Sequence, residues 1–139
     1  MISQIADAPM TKSFGAMSIA QLSSLIQTTA VDPIEVTEAV IDGIEAYADQ
    51  AAFTAIFKDR ATEEAKASSK RMREGRSCGM LDGIPIAWKD LFDIKGRTTT
   101  AGSTVLAREP AAQADAPVEV GERPAPQGAL LKGDRRQAA

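Results

Sequence analysis

Leu81-Asp82-Gly83-Ile84-Pro85-Ile86-Ala87-Trp88-Lys89-Asp90 sets one lysine at the end of a short apolar run, in a sequence without histidine. The apolar types from Ile84 to Trp88 predict a buried strand, and Pro85 within it predicts an edge or an irregular ladder. Burial disfavours an ammonium, so a lysine there becomes available as a base. The competing reading is the common one for a lysine after a strand, with its stem packed and its charge in water. Trp88 and Lys89, as adjacent strand residues, point to opposite faces, which makes Trp88 a packing residue rather than a ring platform for the ammonium.

Upstream, Ser18 followed by Gln21 forms a capping box for a helix over Ile19 to Gln27, with Leu22, Leu25 and Ile26 at helical spacing. Asp32-Pro33-Ile34-Glu35 opens a second helix: aspartate caps, proline fits the first position, and Glu35 lies at the positive dipole end. Its stripe of Thr37, Val40, Ile41 and Ile44 runs to Tyr47. Ala52 to Phe57 reads as a strand. Asp59 is the expected cap of a third helix with Ala61, Ala65, Ser68 and Met72 on one face and Gly75 at its end. Helices interspersed with short strands define an α/β layered fold.

From Ala107 the character changes. Four of seven prolines lie there, aromatics are absent, and Val118, Val120, Leu130 and Leu131 are the main aliphatics. Ordering some thirty residues at roughly 1 to 2 kcal/mol each outweighs that burial, so 107–139 reads as a disordered tail.

A net charge of -3 and a pI near 5.0 argue against a nucleic-acid groove. Lys66, Lys70, Arg71, Arg73 and Arg76 alternate with Glu63, Glu64 and Glu74, the pattern of a solvated helix face. The single cysteine, Cys78, excludes an intrachain disulfide and a cysteine zinc cage, which suits a reducing cytoplasm. The first nine residues lack the plan of a secretory signal, and no run reaches the roughly 18 apolar residues that span a bilayer. Asp82, Asp90 and Asp93 read as turn caps rather than metal ligands, and the glycines match neither a dinucleotide nor a phosphate-loop pattern. Without histidine, imidazole bases, Ser-His-Asp triads and histidine-ligated zinc are excluded within these residues.

The run Gly83 to Asp90, followed by Asp93-Ile94-Lys95-Gly96 and Thr99-Thr100-Ala101-Gly102-Ser103, resembles the first signature segment of the amidase signature family. Members hydrolyse or transfer amide nitrogen. The resemblance implies an α/β fold: N-terminal helices plus the first strands of a mixed sheet, with residues 1–106 as the N-terminal part of an amidase domain. It implies a catalytic role for Lys89, as the base of a Ser-cisSer-Lys triad in which a cis-bonded serine relays the proton of the nucleophilic serine. Serine needs such help to attack. No cofactor or metal is implied.

The second signature segment, of the Gly-Ser-Ser-Gly-Gly type, does not occur in the sequence, and Ser103 belongs to the first. A Ser103–Lys89 dyad has only sequence proximity in its favour. The expectation is an N-terminal fragment, inactive alone, whose full-length form takes a small-molecule amide substrate, with no direct nucleic-acid or membrane partner. The family pattern continues to a strand with a Gly-Lys-Thr-Asn turn, echoed here only at Leu130-Leu131-Lys132-Gly133, as a frameshift in GC-rich DNA would leave it. Within the family, the alternative is the A subunit of a tRNA-dependent amidotransferase, which releases ammonia from glutamine. A further alternative is a non-catalytic module whose first two helices offer apolar stripes to a partner. In a fragment the same stripes would promote homo-oligomers.

Overall fold

A computed structural model describes residues 14–46 and 52–117, and the backbone of strands at 119–120, 123–124 and 130–133. Among them are helices α1 (Ile19–Gln27), α2 (Pro33–Ala46) and α3 (Lys58–Arg73), and strands β1 (Phe53–Ile56), β2 (Ile86–Lys89), β3 (Glu119–Val120), β4 (Arg123–Pro124) and β5 (Leu130–Gly133). Tyr47, the expected end of α2, lies outside the described residues.

Helix α1 begins as its capping box requires, with the Ser18 hydroxyl accepting from the Gln21 N–H at 3.3 Å and the Gln21 side chain accepting from the Ser18 N–H at 2.9 Å. Asp32 accepts from the Ile34 N–H at 2.9 Å at the start of α2. Helix α3 departs from expectation: it starts at Lys58 after Phe57, without a side-chain cap, and Asp59 lies in its first turn. There Asp59 still meets the dipole favourably. All four residues predicted for its inner face, Ala61, Ala65, Ser68 and Met72, are buried.

The main core joins Phe14, Leu22, Ile26, Val31, Val36, Met72 and Ile84. Burying each such side chain stabilises by about 1.5–3 kcal/mol before entropy is subtracted. The apolar faces of α1 and α2 are therefore covered by α3 and the signature segment within one chain. This corrects the module reading, since Leu22, Ile26, Val36, Thr37 and Ile41 are not offered to a partner.

The principal sheet is mixed, in the order β1-β5-β2. β5 pairs antiparallel with β1 and parallel with β2, so the last strand in sequence is central and β2 is an edge among the described residues. That edge accommodates Pro85 immediately before it. The Leu130–Gly133 echo thus forms a strand, with Gly133 in register with Lys89. β3 and β4 make a separate antiparallel pair.

Residues 107–117 hold fixed contacts. Ala112 exchanges backbone hydrogen bonds with Gly96 and Arg97 at 2.8 and 3.0 Å, and the Ala116 N–H donates to the Asp93 carbonyl at 2.8 Å. Asp115 receives a forked pair of bonds from Arg60 of α3 at 3.0 and 2.7 Å and accepts the Lys95 N–H at 2.9 Å. The Arg60 guanidinium holds the Asp115 carboxyl below the usual carboxylate range.

Candidate active site

Strand β2 alternates strictly: Ile86 and Trp88 are partly buried, whereas Ala87 and Lys89 are exposed. The expected burial of Lys89 is corrected by this alternation, because four residues with a period of two give a strand one covered face and one open face. Trp88 packs inward, edge to face on Phe92 with ring centroids 5.7 Å apart. Its indole Nε1 is buried without a hydrogen-bond partner. Lys89 has no ion pair among the described residues, and Leu91 and Phe92, just beyond it, are exposed apolar side chains. The open face at the end of β2 therefore carries an exposed amine.

A turn follows, in which the Lys89 carbonyl accepts from the N–H groups of Leu91 and Phe92 at 2.7 and 3.2 Å. Asp90, only 2% exposed, accepts from the Thr100 N–H at 3.1 Å and the Thr100 hydroxyl at 2.5 Å. Its carbonyl accepts the Ala101 N–H at 3.0 Å. Ala101 has φ of 49° and Gly102 of 75°, so a non-glycine residue is held in the left-handed region beside the site. Asp93 accepts from the Thr99 hydroxyl at 2.7 Å. Among the described residues no cluster of acidic, histidine or cysteine side chains is placed to hold a metal ion.

Ser103 is a turn cap: its hydroxyl accepts from the N–H groups of Val105 and Leu106 at 3.2 and 3.3 Å. These bonds give the hydroxyl a structural role with no need of Lys89.

Asp82, earlier in the signature segment, is fully buried. It accepts from the Ser68 hydroxyl at 2.7 Å, from Arg71 at 2.6 and 3.0 Å, and from the Cys78 N–H at 2.9 Å. Burial alone would raise its pKa, yet the Arg71, Cys78 and Ser68 bonds together hold the carboxyl below its ordinary value. Arg71 is thus the exception to the solvated basic face, where Lys66 pairs with Glu63 at 2.8 Å and Arg76 with Glu74. Gly83 sits at the same crossing with φ of 85°, where a Cβ would stand 2.8 Å from Ser68 Oγ and 2.9 Å from Pro33 Cγ. The signature segment is therefore clamped to α2 and α3 just before it becomes β2.

Beside Asp90 is a cavity of about 250 Å³ bounded by Thr54, Asp90, Arg97, Thr98 and Thr100. Arg97 places its guanidinium 5.5 Å from the centre of the Phe57 ring.

The helices and mixed sheet form an α/β layer in which the 81–103 segment carries Lys89 at the end of β2, and the family model for Amidase matches residues 35–129. The chain belongs to the amidase family. It is 38% identical over 92 residues to the A subunit of the glutamyl-tRNA(Gln) amidotransferase of Brucella ovis, covering 66% of this chain and 18% of that protein. Among solved structures it resembles a chain of a vestigial protein complex that reveals the evolutionary origins of an s-triazine catabolic enzyme. There the identity is 35% and the TM-score 0.74, over 84% of this chain and 26% of the other. It also resembles native peptide amidase from Stenotrophomonas maltophilia, at 26% identity and a TM-score of 0.58, over 65% and 19% of the two chains. The chain spans less than a fifth of the length of the curated relatives it matches.

Proposed function

We propose that these residues are the lysine-bearing part of a carbon–nitrogen hydrolase, with Lys89 as the base of a Ser-cisSer-Lys triad acting on a small-molecule amide. One observation carries the reading: within a matched amidase segment, Lys89 stands on the open face at the end of β2. An amine there can be desolvated by polypeptide laid over it, and desolvation is what makes a lysine a base near neutral pH. The two serines and the oxyanion-binding amides would come from a Gly-Ser-Ser-Gly-Gly segment, which the sequence lacks. The 139 residues by themselves are therefore expected to give no turnover. No described helix is long and apolar enough to cross a membrane. With Cys78 unpaired and exposed, a cytoplasmic setting fits the reading.

The test is a full-length form made by restoring the second signature segment. Lys89→Ala there should lower kcat for amide hydrolysis by about a hundredfold or more while the fold persists, since positioned proton transfer contributes on that scale. Near wild-type turnover would refute the role. The similarity to the A subunit of an amidotransferase supports a second reading, in which the amide is that of glutamine and partner subunits receive the ammonia. Glutaminase activity that depends on partner subunits would select it, and efficient hydrolysis of simple amides without partners would select the first.

A further inference from the structure

We propose that Arg97 and Thr98 form a subsite for a small carboxylic acid that carries a hydrogen-bond donor on the carbon next to its carboxylate. The cavity beside Asp90 supplies the room. At about 250 Å³ it falls below the roughly 300 Å³ from which pockets take drug-sized ligands, so it suits a molecule of a few carbons. Lys89 is not among the residues that bound it, and the subsite stands whether or not Lys89 is a base.

Arg97 is the group for the anionic end. Among the described residues Arg60, Arg71, Arg73 and Arg76 each meet a carboxylate, whereas the Arg97 guanidinium makes no hydrogen bond or ion pair. It lies instead over the Phe57 ring, 5.5 Å from its centre. A ring face steadies the cation without consuming its N–H donors, and those donors form a planar fork that matches the two oxygens of a carboxylate. The main chain beneath is fixed too. Gly96 and Arg97 exchange backbone hydrogen bonds with Ala112, and the Arg97 N–H donates to the carbonyl of buried Ile94 at 3.0 Å. A group already held in place forfeits little freedom when a ligand arrives.

The second contact follows from where the hydroxyl protons go. Thr98 donates to the Glu109 carbonyl at 2.9 Å and Thr100 donates to Asp90 at 2.5 Å, so neither hydroxyl keeps a proton for an anion. The Thr100 oxygen already accepts the Gly102 N–H at 3.3 Å. That leaves the Thr98 oxygen, on the residue after Arg97, as an acceptor on the cavity wall. A cationic fork beside an acceptor calls for a ligand whose own donor lies close to its carboxylate.

The test uses the 139-residue chain and needs no turnover. Phenylglyoxal modification with peptide mass mapping reads Arg97 against Arg108, which is exposed and also lacks an ion pair among the described residues. Lactate and propionate, nearly equal in size, differ by the hydroxyl. Lactate should protect Arg97 saturably, with half-protection in the millimolar range, and leave Arg108 unprotected. Propionate should need about three- to tenfold more, the scale of one lost hydrogen bond. Thr98→Val should bring lactate down to the level of propionate. Equal protection by the two acids overturns the proposal, as do absence of protection, parallel protection of Arg97 and Arg108, and equal protection by inorganic phosphate. If Thr98→Val fails to fold, the comparison of the two acids on the wild-type chain decides alone. None of these outcomes bears on the Lys89→Ala turnover measurement, so the two readings fail separately.

Discussion

Among single residues, Asp82 carries the largest stability consequence. Its buried carboxylate satisfies Arg71, Ser68 and the Cys78 N–H together, so Asp82→Ala strands the Arg71 charge and two donors. The expected cost is about 3 kcal/mol, the range for breaking a buried charge pair, read as a shift of the urea midpoint. The pH dependence has a definite sign. The folded Asp82 carboxyl titrates below its ordinary value, so its contribution is complete above about pH 4 and is lost as pH falls through the lowered value. Asp82→Asn should accordingly flatten the acid limb of the stability curve. None of this was legible locally, because Arg71 and Asp82 lie on different elements and their charges resemble those of a surface face. Lys89 shows the converse limit: its apolar neighbours read as burial, whereas the period of the strand divides them between two faces.

Elements were more legible, because caps are local chemistry. Ser18 with Gln21, and Asp32 before Pro33, marked the starts of α1 and α2 from donor and acceptor positions alone. Ser18→Ala should cost about 1 kcal/mol, measurable as a lower unfolding midpoint with α1 amides exchanging first. Helix α3 was found by its inner face but not by its cap, since Phe57 holds the capping position and offers no acceptor. The turn into β2 depends on Gly83. Gly83→Ala adds a methyl group against Ser68 and Pro33 at a positive φ, and should destabilise by about 2–3 kcal/mol, combining overpacking with left-handed strain. A loss of under half that in denaturant melts would show that α2 and α3 shift apart easily.

At the scale of the molecule, helices α1 to α3 are legible because their signals are periodic and the signature strand because its short apolar run is bounded by turn residues, whereas long-range ties such as Arg60 to Asp115 leave no local trace. Asp115→Ala should cost about 1 kcal/mol, as befits a partly exposed forked pair, and should speed hydrogen exchange at Lys95 and Ala116 more than in the core of α1 and α2. The expectation for Leu130–Gly133 rested on its few aliphatics. Pairing with a strand on each side satisfies its backbone groups, a gain that composition does not register.

That β5 lies between β1 and β2 fixes an order of events during synthesis. Until residue 130 emerges from the ribosome, the two flanking strands have no common ladder, and the nascent chain must rely on its helices to stay compact. Unpaired strand edges invite foreign strands, so this interval is when chaperone holdases would find their target.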